Sequence, residues 1–152
     1  MICRIFDAGE KERVASCVLN ALPDWFGLPE STDNYIRQSR EMPFWAATED
    51  GNPLGFIALK ETSPATAEVF VMGVMPERHR GDTGRKLYEV FEQYARERGY
   101  SFVQVKTVQM GRYEQYDKTN LFYQAMGFQD LECFPTLWDQ WNPCQVYVKY
   151  IG

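Results

Sequence analysis

The sequence predicts an α/β fold with a mixed sheet, in the element order βααβββαβαββ. Apolar runs of strand length recur along the chain, and one of them, residues 69–75, is rich in β-branched and aromatic side chains. Segments with apolar residues at helical spacing alternate with these runs, as in residues 87–95. The last run, residues 145–151, alternates apolar and polar side chains, which is typical of an antiparallel strand with one covered face.

The first half of the chain is predicted to place two helices between a short strand and a hairpin. Residues 1–6 form the strand, and residues 14–22 give the first helix an apolar face that ends before Pro23. Ser31 or Thr32 is expected to cap the second helix, which extends to residue 40. The hairpin joins residues 44–48 to residues 54–61 through an Asp-Gly-Asn-Pro turn.

The second half is predicted to begin with a central strand near Thr66, which ends at Pro76 because proline cannot donate to a ladder. A helix then runs to Gly99, a residue typical of the position just after a helix. Because the chain shows no repeat and no linker, we expect a single domain over residues 1–152. The remaining predicted elements are a strand at 102–108, a loop at 110–117, a short helix at 118–126, a strand at 128–134, a loop at 135–143 and the last strand.

The composition argues against several classes of protein. The formal net charge is −5, whereas general nucleic-acid binding requires a basic face. Four cysteines without C-x-x-C spacing and a single histidine argue against a zinc site and a disulfide framework. The N-terminus does not resemble a signal peptide, and no apolar run approaches transmembrane length. We therefore expect a cytoplasmic protein that holds no metal and binds neither nucleic acid nor a membrane.

A basic loop that contains glycine separates the central strand from the helix after it. A helix that starts after such a loop presents unpaired amides and the positive end of its dipole. The loop therefore predicts an anion site that suits a phosphate or a pyrophosphate. A solvated basic turn without a ligand is the alternative. The loop reads His79-Arg80-Gly81-Asp82-Thr83-Gly84-Arg85.

Two segments carry a family resemblance. Val74-Met75-Pro76-Glu77, followed by the basic loop, resembles the acetyl-CoA-binding motif of the GNAT N-acetyltransferases. Residues 120–128, Asn-Leu-Phe-Tyr-Gln-Ala-Met-Gly-Phe, resemble the later helix-to-strand motif of that family. The resemblance spans residues 68–128, about two-fifths of the chain. It implies a GNAT-like, mostly antiparallel central sheet flanked by helices.

The resemblance also implies how acetyl-CoA would be held as a co-substrate. Loop amides would hold its diphosphate, and the central strand would pair with its pantetheine arm, with Gly73 permitting close approach. Asp82 replaces a motif glycine, so its carboxylate either opposes the diphosphate or caps the helix in competition for the same amides. The expected cofactor-binding residues are Met72, Gly73, Val74, His79, Arg80, Gly81, Asp82, Thr83, Gly84, Arg85 and Asn120.

Two residues are expected to be catalytic because of the resemblance. Tyr123 matches the tyrosine that protonates the leaving thiolate, and a phenol is a suitable donor. Glu68 matches the place of a general base on the central strand, where a carboxylate deprotonates an ammonium directly or through water. A packed helix tyrosine and an ion-paired carboxylate are the structural alternatives, and for Glu68 the two readings are equally supported.

The expected reaction moves an acetyl group from acetyl-CoA to a primary amine, by direct attack in a ternary complex. By family topology the loop after the fifth strand lies beside the acetyl group, and its carboxylates and tyrosine rings suit a small cationic amine. The alternatives are a non-catalytic acyl-CoA sensor or interaction module, and a peptide or protein N-acetyltransferase. Homodimer formation is left open. The expected acceptor-binding residues are Tyr113, Glu114, Tyr116 and Asp117.

Overall fold

The computed structural model describes residues 1–79 and 81–152, and over these residues four helices cover the two faces of a seven-stranded sheet. The elements are β1 (Ile2–Arg4), α1 (Ala8–Asn20), α2 (Pro29–Ser39), β2 (Phe44–Glu49), β3 (Asn52–Ser63), β4 (Thr66–Val74), a 3₁₀ turn (Pro76–Arg78), α3 (Thr83–Glu97), β5 (Phe102–Val108), α4 (Glu114–Ala125), β6 (Gln129–Phe134) and β7 (Cys144–Tyr150). The predicted element order is confirmed.

The sheet is mixed and mostly antiparallel, as predicted. Its strand order is β1-β2-β3-β4-β5-β7-β6, and within the described residues only β4 and β5 pair in parallel. This parallel pairing runs from Thr66 opposite Phe102 to Val69 opposite Val105 and then ends, although both strands continue. Residues 70–74 of β4 therefore keep one edge unpaired by β5. We call the gap beside this edge the central cleft.

A β-bulge lies where the parallel pairing ends. Ala58 of β3 is opposite Val71 and Leu59 is opposite Val69, so Phe70 is an extra residue in β4. The extra residue changes which side chains face each side of the sheet. Val69 packs with α3, whereas Phe70 and Val71 both pack with α1 and α2 on the other face.

Each face of the sheet has its own hydrophobic core. The core under α1 and α2 includes the fully buried Val14, Val18 and Leu19, which recur at helical spacing and make α1 amphipathic. The core under α3 and α4 includes Leu87, Tyr88, Phe91 and Ala95 of α3, together with Tyr123 and Phe128. Two helices cover each face of the sheet. The central cleft lies between β4 and β5, beyond the point where these two strands stop pairing.

Several predicted boundaries are wrong. Helix α1 begins at Ala8, ahead of the predicted apolar face at residues 14–22, because the Asp7 carboxylate accepts a hydrogen bond from the Glu10 amide at 2.8 Å. Helix α2 begins at Pro29 rather than at a Ser31 or Thr32 cap. The Thr32 hydroxyl instead donates to the Phe26 carbonyl at 2.9 Å. Along the described part of the chain, no helix is both long and apolar enough to cross a bilayer.

Candidate functional site

The start of α3 presents backbone amides that its own helix does not use. The first hydrogen bond of the helical ladder runs from the Lys86 amide to the Asp82 carbonyl at 2.9 Å. The amides of Thr83, Gly84 and Arg85 precede that bond, so they point out of the helix end together with the positive end of its dipole. This geometry is suited to an anion.

The predicted loop is thus divided between a turn and a helix. His79, Gly81 and Asp82 lie before α3, whereas Thr83, Gly84 and Arg85 form its first turn. Arg80 was also predicted to bind the cofactor, and it lies outside the described residues.

The carboxylate of Asp82 faces two cations rather than the helix amides. It lies 3.2 Å from the Arg85 guanidinium and 3.3 Å from the Lys86 ammonium. Asp82 stands at the cap position of α3, but its side chain makes no capping hydrogen bond, so the capping alternative is wrong. The hydrogen bond from Lys86, supported by the charge of Arg85, holds the pKa of the Asp82 carboxyl below its usual value.

Among the described residues, further ion pairs involve the cations beside the loop. Arg78 forms an ion pair with Glu49, and Arg85 forms a second one with Glu89. All of these side chains are exposed, so solvent and salt screen the pairs. An incoming anion would therefore compete with three carboxylates for the cations that surround the amides.

Gly84 allows the start of α3 to approach both α4 and β4. A Cβ atom at this position would lie 3.3 Å from the Phe122 ring and 3.4 Å from the Met72 methyl. A larger side chain would push the helix start away from the central cleft. The glycine therefore fixes how closely the exposed amides lie to the unpaired edge of β4.

The unpaired edge of β4 is formed by the polar backbone groups of Met72 and Val74. The Met75 amide donates to the Leu54 carbonyl on β3 at 2.8 Å, and successive strand residues direct these groups to opposite edges. Met72 and Val74 therefore direct theirs into the central cleft. The Nε2–H of His79 donates to the Val74 carbonyl at 2.6 Å, so one group of this edge already has a partner.

Gly73 has a different role from the predicted one. A Cβ atom at this position would lie 2.9 Å from Val18 and 3.3 Å from Leu22. Its missing side chain makes room for α1, and its polar groups face β3 rather than the cleft. The expected reason for this glycine, close approach to a ligand, is therefore wrong.

Tyr123 lies in the wall of the cleft formed by α4. Its side chain is 5% exposed, and its hydroxyl lies 4.0 Å from the Met72 sulfur. Burial raises the pKa of this phenol, so it stays protonated and can donate a hydrogen bond across the neutral range. The side chain also contacts Phe128 at a ring distance of 5.5 Å, so it is packed as well as placed beside the cleft.

Glu68 lies on the opposite face of the sheet from Tyr123. Its neighbours Ala67 and Val69 pack in the core under α3, so Glu68 points to the face covered by α1 and α2. Its Oε1 atom accepts a hydrogen bond from Gln104 at 3.0 Å and lies 3.3 Å from the Lys106 ammonium. The ion-pair alternative is therefore present, and the hydrogen bond from Gln104 is accepted by Oε1 rather than by Oε2.

Asn120 is fully buried and its amide is engaged within the protein. Its Nδ2 donates to the carbonyls of Val108 at 2.9 Å and Tyr116 at 2.7 Å. Its Oδ1 accepts from the Tyr147 hydroxyl at 2.6 Å. These bonds tie α4 to the end of β5 and to the middle of β7, so the geometry supports an anchoring role over the predicted contact with pantetheine.

The residues predicted to bind the acceptor lie in the first turn of α4 and just before it. The predicted loop at 110–117 is shorter than expected, because Glu114, Tyr116 and Asp117 are helical. Asp117 accepts a hydrogen bond from the Gly111 amide at 2.7 Å, and Glu114 and Tyr113 are exposed. The Tyr116 hydroxyl donates to the Trp25 carbonyl at 2.8 Å, and burial raises its pKa to about 12.

Two groups of contacts were missed from the sequence. Lys106 and Gln104 contact Glu68 because the parallel register places Gln104 opposite it, and only the register reveals this. Trp25 contacts α4 across a separation of about ninety residues, and the aromatic residues at 23–29 were the only local sign of it.

Among the residues described, no cluster of three or more His, Cys, Asp or Glu side chains is placed to hold a metal ion.

Residues 15–128 match the family model described as the acetyltransferase (GNAT) family. The structure is similar to a protein described as a GNAT-family acetyltransferase from Desulfovibrio desulfuricans, with 19% identity, a TM-score of 0.82, and coverage of 100% of this chain and 99% of that one. It is similar to aminoglycoside 6′-acetyltransferase type Ii, with 17% identity, a TM-score of 0.81 and coverage of 100% and 97%. An aminoglycoside 6′-N-acetyltransferase complexed with coenzyme A has 16% identity, a TM-score of 0.76 and coverage of 100% and 97%. The sequence matches no curated protein at a significant level.

Proposed function

The chain belongs to the GNAT acetyltransferase family, and from this premise we propose that it transfers an acetyl group from acetyl-CoA to a primary amine of a small molecule. One observation carries the proposal: the exposed amides at the start of α3, the unpaired edge of β4 and the buried Tyr123 adjoin one another along a single cleft. A diphosphate, an amide-containing arm and a thioester sulfur need these groups in this order.

The residues present fit acetyl-CoA. The amides of Thr83, Gly84 and Arg85 would bind the diphosphate, and Arg85 is close enough to add charge once it leaves Asp82. The backbone groups of Met72 and Val74 would pair with the pantetheine arm, which has amides at strand-like spacing. His79, Gly81 and Asp82 would flank the diphosphate from the preceding turn.

The acetyl group would be supplied as an activated thioester. In the transfer, a bond forms between the amine nitrogen and the acetyl carbon, and the carbon–sulfur bond breaks. A neutral amine nitrogen gives up one proton and the sulfur gains one, whereas an ammonium must first lose a further proton to become nucleophilic. The protein therefore needs an acceptor for the first proton near the amine and a donor for the second near the sulfur.

Glu68 and Tyr123 are proposed for these two tasks. The hydrogen bond from Gln104 reaches only the Oε1 atom of Glu68, so Oε2 would accept a proton from the amine directly or through water. The Tyr123 hydroxyl would donate a hydrogen bond to the departing sulfur. Because burial raises the pKa of Tyr123, the phenol is expected to keep its proton and stabilise the departing thiolate by a hydrogen bond, and the sulfur then takes its proton from the solvent.

The proposed function is tested by binding and turnover measured separately. Calorimetry should show acetyl-CoA binding, and thiol release should accelerate when amines are added from a panel of polyamines, aminoglycosides, amino acids and peptides. Absence of binding at millimolar acetyl-CoA would refute the proposal. Binding without thiol release for every class of amine would instead identify a non-catalytic acyl-CoA sensor.

A further inference from the structure

A loop between α1 and α2 crosses the mouth of the central cleft. We call residues 23–28 the strap. The Trp25 indole N–H lies 3.3 Å from both the Gln115 carbonyl and the Thr119 hydroxyl of α4. The same ring meets the His79 ring edge-to-face, with a centroid distance of 5.3 Å. Trp25 therefore contacts both sides of the cleft, α4 on one side and the turn after β4 on the other.

Two further hydrogen bonds fasten the strap to α4. The Tyr116 hydroxyl donates to the Trp25 carbonyl at 2.8 Å, and the Gln115 side chain donates to the Asp24 carbonyl at 3.1 Å. The strap is itself a tight turn, because a Cβ atom at Gly27 would lie only 2.7 Å from the Pro23 carbonyl oxygen. A compact, tethered turn holds its tryptophan in one place.

Trp25 supports the contact that closes the edge of β4. His79 donates to the Val74 carbonyl, one of the groups that β4 directs into the cleft. Trp25 packs against the His79 ring and limits the directions in which it can turn away. The strap thus links α4 through Trp25 and His79 to Val74, at the end of the unpaired edge of β4.

We propose that the strap is an autoinhibitory contact, in which Trp25 must leave the space between His79 and α4 before acetyl-CoA can bind. The inference rests on the proposed function, because it concerns access to the same cofactor site. A pantetheine arm that pairs with Val74 needs the carbonyl that His79 holds. An arm that runs from the α3 amides to Tyr123 must also pass between the two surfaces that Trp25 joins.

The proposal sets the direction of the effect on affinity. When only part of a protein population is open, the measured Kd equals the intrinsic Kd divided by the open fraction. Each hydrogen bond of the strap favours the closed form modestly, since the bonds are half-exposed and water replaces them on opening. Removing strap contacts should therefore tighten acetyl-CoA binding and speed association, the reverse of what loss of a ligand contact does.

The test compares Trp25→Ala and Gln115→Ala with the wild type and with Trp141→Ala, which removes an indole that is 67% exposed. Calorimetry should give an acetyl-CoA Kd about three- to tenfold lower for Trp25→Ala and about twofold lower for Gln115→Ala. Stopped-flow association should be faster in both, and Trp141→Ala should match the wild type. Thermal melts confirm folding, and if Trp25→Ala fails to fold, Gln115→Ala and Trp25→Phe decide the result.

The outcomes separate the inference from the proposed function. A Kd for Trp25→Ala that equals or exceeds the wild-type value overturns the strap as an inhibitor while leaving the transferase proposal intact. A higher Kd would mark Trp25 as part of the cofactor site. Failure of the wild type and of every variant to bind acetyl-CoA overturns both.

Discussion

Glu68 and Tyr123 lie on opposite faces of one sheet, near the point where β4 and β5 stop pairing. Glu68 reaches the face of α1 and α2, and Tyr123 reaches the face of α3 and α4. A reaction that removes a proton from one substrate and supplies one to another benefits from this separation, because the two groups cannot neutralise each other. Under the proposed roles, Glu68 would accept the proton of the amine from one face, and Tyr123 would hydrogen-bond to the sulfur from the other.

Replacing Tyr123 with phenylalanine should reduce kcat about a hundredfold with little change in acetyl-CoA affinity. The ring stays packed against Phe128, and only the hydroxyl beside Met72 is lost. Tyr100→Phe is the matched control, because that hydroxyl bonds Glu61 outside the cleft. Steady-state kinetics at saturating acetyl-CoA measure the effect, and equal kcat values in the two variants would reduce Tyr123 to a packing residue.

Replacing Glu68 with glutamine should lower kcat/KM for the amine, because an amide cannot accept the proton that the amine gives up. The amide still accepts a hydrogen bond from Gln104 and retains the shape of the side chain. Glu61→Gln on β3 serves as a control, since its carboxylate contacts Tyr100. A kcat/KM for Glu68→Gln equal to that of Glu61→Gln would exclude Glu68 as the base.

Replacing Asp82 with glycine, the residue that the family motif has here, should tighten acetyl-CoA binding severalfold. The change frees Lys86, removes one of the two carboxylate partners of Arg85 and removes a negative charge beside the α3 amides. The gain should be larger at low salt, because screening weakens the repulsion between the carboxylate and the diphosphate. Glu89→Gln, which removes the other carboxylate partner of Arg85 one turn further along, is the control. Weaker binding by Asp82→Gly would show that the carboxylate organises the loop.

At the scale of elements, the sequence predicted the order and type of every helix and strand but not how particular elements begin. Helix α4 starts at Glu114 rather than Lys118, because Tyr113 and Gly111 form its entry turn, with Asp117 accepting the Gly111 amide. The role of Gly73 was misassigned for a related reason. The alternation along β4 is shifted by the bulge at Phe70, and which face a residue takes after a bulge depends on pairing with β3.

The parts of the candidate site that one continuous segment forms could be predicted from the sequence. The parts that form where distant segments meet could not. The loop from His79 to Arg85 is continuous, so its helix start could be read directly from the residues. The contacts of Glu68 with Lys106 and of Trp25 with α4 depend on register and packing between distant segments. No local pattern encodes them.

Asn120 should prove to be an anchor for α4. Asn120→Ala leaves the Val108 carbonyl and the Tyr147 hydroxyl without their buried partner, which should cost about 2–3 kcal/mol of unfolding free energy. Asn34→Ala on the exposed face of α2 removes only a surface bond to Gln38 and is the control. Denaturant melts measure the difference. If stability is unchanged and only acetyl-CoA affinity falls, the predicted contact with pantetheine is correct instead.

The whole molecule combines a negative net charge with a basic loop in which the cations that the structure describes are paired. The formal charge is −5, from 16 basic and 21 acidic side chains. Around the start of α3, Glu49, Asp82 and Glu89 offset Arg78, Arg85 and Lys86. Binding of a polyanion therefore relies more on the amides at the start of α3 than on the electrostatic field of the whole protein. For this reason the affinity for acetyl-CoA should depend only moderately on salt concentration.

The acceptor is predicted to be a small cationic amine. A negatively charged molecule attracts cations and repels anions over distances comparable to the Debye length. At the first turn of α4, Glu114 is exposed and Asp117 is half-buried beside the Tyr113 and Tyr116 rings, which suit an ammonium through charge and cation–π contact. Arg112 and Lys118 flank the same turn and would repel a cationic amine. The two carboxylates therefore attract the amine only if they lie closer to it than these cations do.

Kinetics of charge variants test the class of acceptor. The kcat/KM for a polyamine and an aminoglycoside should exceed that for a peptide with a free N-terminus. Glu114→Gln and Asp117→Asn should each raise KM for the best amine about three- to tenfold with kcat nearly unchanged. The reason is that each charge would stabilise the bound amine and the transition state equally. Asn at position 117 retains an oxygen for the Gly111 amide, so the entry turn is preserved.

Glu30→Gln, in the first turn of α2, removes the same net charge elsewhere and should leave KM unaltered. A preference for peptides, or a KM that responds equally to all three variants, would show that the acceptor is not recognised by these carboxylates.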